Sequence, residues 1–393
     1  MNYSLYIHIP FCEKRCYYCD FNTFTGKESL IPAYISALID EIRIVFDYFS
    51  DLHLHSIYFG GGTPSLIPAA EYQKLLSIID DLSVINDPCE ISIEANPGTI
   101  SEDYLRALRS LGFNRISIGA QSTRTVDLIQ MGRSHNTDDI IDAVKFSRRA
   151  KFPIINLDLI NNLPWQDYNS WKTSLTRAVA LDPEHFSVYS LTIEPGTCLY
   201  NWYQRGLIQP QNQDLGADMF EYTMEYLDRV GYEHYEVSNW AKKDPNIDFR
   251  CVHNLQYWLN LPYIGIGAGA HGYLNDIRTE NIANIDRYIY SMQKINNTNR
   301  PFPETPATTQ ATKIEKFTQM QDFMWLSLRL VSEGVSLDRF ENTFGVSAME
   351  VFHPEIDELL QLELIEWVKP NQSNLRLTRR GIMLANQVFL RFI

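Results

Sequence analysis

Three cysteines, Cys12, Cys16 and Cys19, fall within eight positions in the stretch CEKRCYYCDF. Thiolates at C-x3-C-x2-C spacing make a compact ligand set, suited to an iron–sulfur cluster or to zinc. Zinc takes four ligands, and His8 or Asp20 would complete such a set, but zinc sequences usually bring cysteines as two separated pairs. A [4Fe–4S] cluster on three cysteines leaves one iron without a protein ligand, open to a small molecule. A second candidate is GGGTPS at 60–65. Glycines let the backbone approach a ligand and present its own N–H and C=O groups, although a triplet alone also suits a tight turn. Cys89, Cys198 and Cys251 are scattered, and the first two read as buried or idle thiols.

Alternating elements must position these groups. Short β-branched runs recur at SLYIHI (4–9), SIYF (56–59), EISIEA (90–95), RISIG (115–119), IINLDLI (154–160) and FSVYSLT (186–192). Helical periodicity lies between them, as in IPAYISALIDEIRIVFDYF (31–49). In SEDYLRALRSLG (101–112), Ser101 is the expected N-cap and Gly112 the C-terminal stop. Strands alternating with helices form parallel βαβ units. Six units suit a partial (β/α)6 barrel. Functional loops of such folds follow the carboxyl ends of strands. The cysteine stretch follows the first run and GGGTPS the second. Glu94 ends the third run, Gln121 follows the fourth, Asp158 lies late in the fifth and Thr192 ends the sixth. The expectation is one site at one mouth.

The pattern changes near residue 300. Residues 1–295 are expected to be the barrel with an extension, 296–312 a polar, proline-bearing linker, and 313–393 a C-terminal domain. In the last part the helix MQDFMWLSLRLVS precedes further helices and the hairpin-like LIEWVKPNQSNLRLTRRG, a winged-helix-like order. From Lys313 onward there are 9 Lys/Arg and 11 Asp/Glu, a net of −2. A DNA reader should be basic, so a packing or lid module is expected there.

Bulk properties narrow the class further. The 393-residue chain carries a formal charge of −14, which disfavours nucleic acid as a partner. Its first residues lack the layout of a secretory signal, and no apolar stretch is long enough to span a bilayer. A cytoplasmic protein is expected, in which clustered cysteines serve metal or redox chemistry.

C-x3-C-x2-C with an aromatic, Tyr18, before the third cysteine resembles the radical S-adenosylmethionine superfamily. The resemblance implies that the cofactor's amino and carboxylate groups chelate the open iron, and that the cluster cleaves the sulfonium to a 5′-deoxyadenosyl radical. Over about the first 290 residues the motifs LYIHIPFCEKRCYYCDF, YFGGGTPS, IEANPG, RISIGAQS, MGRSHN, NLDLINNLPWQD, SVYSLTIEPGT, YEVSNWA and CVHNLQYWLNLPYIGIGAGAHG occur in order. They resemble the oxygen-independent coproporphyrinogen oxidase family, and within it the haem-chaperone branch. By that match Tyr6, Gly61, Gly62, Thr63, Glu94, Gln121, Arg133, Asp158 and Thr192 fall where the family binds S-adenosylmethionine. Arg133 suits the cofactor's carboxylate, and Glu94 or Asp158 its ammonium or ribose hydroxyls.

Two positions separate the branches. The decarboxylating oxidases resemble C-x3-C-x2-C-x-C, whereas Phe21 stands here in place of the fourth cysteine. Three ligands still suffice for a cluster, so Phe21 weakens only the decarboxylase reading. CVHNLQYW (251–258) resembles the H-N-x-x-Y-W motif of the chaperone branch. His253 or Cys251 would then ligate haem iron, with Asn254 beside it and Tyr257 and Trp258 against the porphyrin. Read without the resemblance, the same residues suit a core turn. The implied partners are haem and a haem-recipient protein; peripheral membrane association and a homodimer stay open. In NLPWQD (162–167), Asn162 and Trp165 replace residues that relatives more often have as glycine, a departure that bears on loop shape.

Overall fold

The computed structural model describes residues 2–294, 300–368 and 373–393. It divides into two compact units, Met1–Met219 with Pro262–Thr312, and Phe220–Leu261 with Lys313–Ile393.

The first unit is built on β1 (Asn2–Ile9), β2 (His53–Gly61), β3 (Val84–Ala95), β4 (Arg115–Gln121), β5 (Ile154–Asn161) and β6 (His185–Ser190). Each pairs in parallel with the next, in sequence order. Helices fill the crossovers: α1 (Ile31–Phe46), α2 (Ala69–Leu82), α3 (Glu102–Ser110), α4 (Thr125–Gln130), α5 (Thr137–Arg149) and α6 (Tyr168–Val179). After β6 come α7 (Cys198–Gln204) and α8 (Gln213–Arg229). This is the expected partial barrel.

The strands carry two alternating faces. One is apolar and buried: Leu5 and Ile7 in β1, Ile57 and Phe59 in β2, Ile116 and Ile118 in β4. The interleaved positions hold Tyr6, Tyr58, Glu94, Ser117, Asn156, Asp158, His185 and Ser187. Register aligns them across neighbours: Tyr6 with Tyr58, Glu94 with Ser117, Ser117 with Asn156, and Asp158 with Ser187. The helices cover the first face, which leaves the second to line the barrel. α3 shows the expected ends: Ser101 accepts from the Tyr104 N–H, and Gly112 has φ 101.

In the second unit β7 (Tyr232–Glu236) and β8 (Asn239–Lys242) form an antiparallel pair, followed by α9 (Val252–Trp258). The first unit resumes with β9 (Tyr263–Ile266), β10 (His271–Leu274), β11 (Ile277–Asn281), α10 (Ile285–Gln293) and β12 (Thr308–Lys313). β9 runs parallel to β1, and β10, β11 and β12 extend the sheet beyond it. Buried Glu41 of α1 anchors this extension. It accepts from the Tyr288 hydroxyl (2.7 Å), the Gly267 N–H (2.9 Å), Asn281 Nδ2 (2.7 Å) and Thr305 Oγ1 (3.0 Å).

The stretch expected as a linker, 296–312, ends inside β12, while 296–299 lie outside the described residues. The division differs from the expected one at 220–261, which packs with the C-terminal residues. That unit adds α11 (Lys316–Ser327), β13 (Val335–Ser336), α12 (Leu337–Phe344), α13 (Ala348–Val351), α14 (His353–Gln361), β14 (Ile365–Trp367), β15 (Asn374–Leu377), α15 (Arg379–Met383) and α16 (Ala385–Phe389). The three strands form an antiparallel sheet in the order β13-β15-β14. The core gathers Phe323, Phe340, Phe352, Ile356, Leu359 and Leu375. The expected hairpin exists as β14 and β15, with its connection, 369–372, outside the described residues. Among the described residues no helix is long and apolar enough to cross a membrane.

Candidate functional site

The cysteine loop leaves the carboxyl end of β1 and is braced at both ends and in the middle. The Cys12 N–H donates to Phe24 O (3.0 Å) and the Phe24 N–H to Pro10 O (2.7 Å). The Tyr17 N–H donates to Met131 O (3.0 Å), and Tyr17 O accepts from the Leu199 N–H (2.8 Å). The Tyr17 ring meets Trp202 edge-on at 4.8 Å. Gly132, at φ 75, lies so close that a Cβ there would stand 2.9 Å from the Tyr17 ring. Cys12 is buried, and Cys16 and Cys19 are partly exposed. Burial pushes the Cys12 thiol up, the hydroxyl of Thr63 opposes this, and the nearby Cys19 and Cys16 add to it. Cys19 is likewise raised by burial, with Cys16 adding. The three sulfurs therefore share one electrostatic environment.

The glycine segment lies against this loop. The Gly62 N–H donates to Ile9 O and the Thr63 N–H to Phe11 O, both at 2.8 Å. Thr63 Oγ1 sits 3.4 Å from Cys12 Sγ. Gly61 has φ 115, and a Cβ there would fall 2.4 Å from the His8 ring. His8 is neutral because burial lowers its pKa. Its Nε2 pairs with Asn22 O (2.9 Å) and its Nδ1 with the Tyr6 hydroxyl (3.0 Å). A carbonyl accepts only, so Nε2 carries the proton and Tyr6 donates to Nδ1.

Glu94 accepts from the Gly61 N–H (3.0 Å) and the Tyr58 hydroxyl (2.9 Å). Burial, then the neighbouring Asp158 charge, raises its pKa to about 7. Asp158 is also raised by burial, against Ser117 Oγ (2.9 Å) and Asn156 Nδ2 (2.7 Å), which stabilise its charge. Asn156 is fixed in turn by His185 Nδ1 at 2.6 Å. Gln121 closes β4 at φ 63. Thr192 departs from its expected place. β6 ends at Ser190, and Thr192 is exposed two residues further on, because the chain leaves the sheet once Leu191 N–H has bonded to Asn161 O.

Arg133 joins the cysteine loop to the strand ends. Its Nη1 lies 3.3 Å from Cys16 Sγ, and its Nη2 donates to Gly119 O (2.8 Å) and Asn96 Oδ1 (3.1 Å). Its Nε is buried with no protein acceptor.

In the second unit, α9 carries the 251–258 stretch. His253 is 1% exposed, and its Nε2 lies 2.9 Å from the Tyr257 hydroxyl one turn later. Cys251 is buried, and its N–H donates to the Tyr235 hydroxyl (3.2 Å). Asn254, Tyr257 and Trp258 are half-buried. The Arg329 guanidinium covers one face of the Trp258 indole at 4.2 Å. The structure thus groups Tyr6, Gly61, Gly62, Thr63, Glu94, Arg133, Asp158 and the three cysteines within one unit, and His253, Asn254, Tyr257, Trp258 and Cys251 within the other.

Two family models match the chain: the radical SAM superfamily over residues 6–173, and the HemN C-terminal domain over residues 314–384. A protein of Lactococcus lactis named heme chaperone HemW is 36% identical, across 99% of this chain and 97% of its own length. A heme chaperone HemW of Bacillus subtilis is also 36% identical, across 99% of both chains. The chain belongs to the HemW family. Among solved structures, the radical SAM enzyme coproporphyrinogen III oxidase (HemN) of Escherichia coli superposes with a TM-score of 0.83, at 23% identity, covering 99% of this chain and 89% of that one. At that identity the likeness establishes the fold alone.

The radical SAM fold of HemW-family chains implies a [4Fe–4S] cluster and S-adenosylmethionine. The donor set fits. Three thiols on one loop, near enough that Cys16 and Cys19 act on the Cys12 thiol, are the ligand type such a cluster takes. The unpartnered Arg133 Nε is a buried donor left for an acceptor such as a carboxylate. Asn162 has φ 56, a left-handed conformation that asparagine tolerates better than most residues. Sequence reading gave no role to Asn96, Asn156, His135 or His185. Asn96, His135 and Asn156 lie inside quoted motifs, and strand alternation alone would have placed Asn156 and His185 on the inner face.

Proposed function

We propose that this chain binds haem and delivers it to a recipient protein, while Cys12, Cys16 and Cys19 hold a [4Fe–4S] cluster whose open iron takes S-adenosylmethionine. The observation that carries this reading is the 36% identity to heme chaperones HemW over essentially the full length of both chains. It spans both units, not the barrel alone. Phe21 supports it, standing where a decarboxylase would have its further cysteine.

Each residue has a physical task. Gly61 and Gly62, whose lack of side chains lets the segment pack against His8 and the start of the cysteine loop, bring their backbone to the cofactor's amino end, with Thr63 beside it. Arg133 Nε takes its carboxylate. Glu94 and Asp158 accept from the ammonium or ribose hydroxyls, while Tyr6, Gln121 and Thr192 border the same mouth. When bound, the cluster supplies an electron to the sulfonium. On α9, His253 is the proposed haem ligand, with Cys251 as the alternative and Asn254, Tyr257 and Trp258 flanking the porphyrin. Ligation through Nε2 requires His253 to give up Tyr257, so haem entry loosens the 253–257 turn.

The test is a haem titration of anaerobically reconstituted protein, following the Soret band for wild type and His253→Ala. The expected result is saturation near about one haem per chain, with the band lost or shifted in the variant. Weak, non-saturating binding indifferent to His253 would sink the reading and turn attention to coproporphyrinogen decarboxylation.

A further inference from the structure

Arg133 is the hub of a partly buried polar group that its distance along the chain from the cysteines conceals. Its Nη2 is clamped by two acceptors, Gly119 O in β4 and Asn96 Oδ1 just after β3. Asn96 is itself fixed. Its Oδ1 accepts from His135 Nδ1 (2.8 Å), and its Nδ2 donates to Ser134 Oγ (3.2 Å). His135 is buried, with Nε2 3.3 Å from Ala120 O. A guanidinium is planar, so clamping one nitrogen aims the others. Here the aim puts Nη1 on Cys16 Sγ at 3.3 Å. The Cys12 sulfur differs, its hydrogen-bond partner being the neutral Thr63 hydroxyl at 3.4 Å, while the Cys19 thiol is met by the Phe21 backbone and, at longer range, by the Arg15 charge.

We propose that Asn96 and His135 are positioning residues that hold Arg133 on the Cys16 sulfur, where its charge-assisted hydrogen bond raises the reduction potential of a cluster ligated there. The inference rests on the cluster reading above. An N–H donor and a positive charge at a ligand sulfur stabilise the more negative, reduced form, and hydrogen bonds to sulfur are among the levers that set such potentials. The assignment adds a task to Arg133 beyond the cofactor's carboxylate. The two tasks use different nitrogens, Nη1 for sulfur and Nε for carboxylate.

The test compares wild type, Arg133→Met, Arg133→Lys, Asn96→Ala and His135→Gln, reconstituted anaerobically without S-adenosylmethionine. Iron is counted per chain, and the midpoint potential is read by redox titration followed by electron paramagnetic resonance. The expected result is about four irons per chain, with a potential more negative than wild type in Arg133→Met and smaller shifts of the same sign in Asn96→Ala, His135→Gln and Arg133→Lys. A purely structural role would lower iron content or stability and leave the potential of the loaded fraction alone. Equal potentials in iron-replete wild type and Arg133→Met overturn the proposal. If Arg133→Met fails to hold iron, unchanged potentials in Asn96→Ala and His135→Gln overturn it instead. A wild-type chain that takes up no iron overturns the cluster reading and this inference with it, so the iron count tells the two failures apart.

Discussion

Glu94 ties the stability of the chain to pH. Its ordinary pKa of 4.5 is raised to about 7, first by burial and then by Asp158. Between those values the folded chain keeps a proton that the unfolded chain has released, so stability falls as pH rises through that window. Glutamine removes the titration and can keep the contacts, its Oε1 accepting from the Gly61 N–H and its amide donating to the Tyr58 oxygen. Glu94→Gln should therefore be more stable than wild type at pH 8, by on the order of 1–2 kcal/mol once partial exposure to water is allowed for, and nearly equal to it at pH 4.5. Urea midpoints of the ligand-free chain across this range check it; a difference independent of pH would contradict it. At this scale the sequence is unevenly informative. Cys12, Cys16 and Cys19 are legible because their chemistry lies in local spacing. The contact of Arg133 with Cys16 is not, because it spans 117 positions and depends on where two loops meet.

The elements position these groups through alternation and close backbone approach. Apolar residues on one parity of each strand commit the other parity to the barrel interior, and parallel register brings the polar residues side by side. Gly61 shows what the loops add. Its φ of 115 strains any side-chain-bearing residue, and a Cβ would collide with the His8 ring. Gly61→Ala should cost about 2–4 kcal/mol in denaturant unfolding. Gly98→Ala is the control, since its Cβ would meet His135 Cβ at an ordinary 3.7 Å; a comparable loss there would remove the local explanation. The six strand–helix repeats and the caps of α3 were readable from periodicity. β12 was not, because TTQATK is a polar, mostly exposed edge with no apolar alternation. The place of Thr192 was missed for a related reason: FSVYSLT keeps β character past the last residue that has a strand partner.

Across the whole molecule, the segment proposed to bind haem belongs to the unit that contains the C-terminal helices. Sequence order hid this, since 220–261 and 313–393 are separated by fifty-odd residues of the other unit and no local pattern marks their contact. What joins them is specific. Arg339 of α12 donates to Leu259 O at the end of α9 (2.7 Å) and to Ser327 Oγ (3.0 Å), and its guanidinium lies 4.2 Å over the Phe323 ring. Ser327 reaches Trp258 O, and the Val237 N–H donates to Arg329 O. These contacts tie the C-terminal residues to the end of α9, the helix that carries His253 and Tyr257. Arg339→Ala removes two hydrogen bonds and a ring contact in one step, and should cost about 2 kcal/mol locally. The expected signature is faster amide hydrogen exchange over 252–260, with protection in β1 to β6 unchanged. Arg391→Ala breaks only an exposed pair with Glu358 and should leave both regions as they are. If exchange in α9 is indifferent to Arg339, the C-terminal helices do not control that segment.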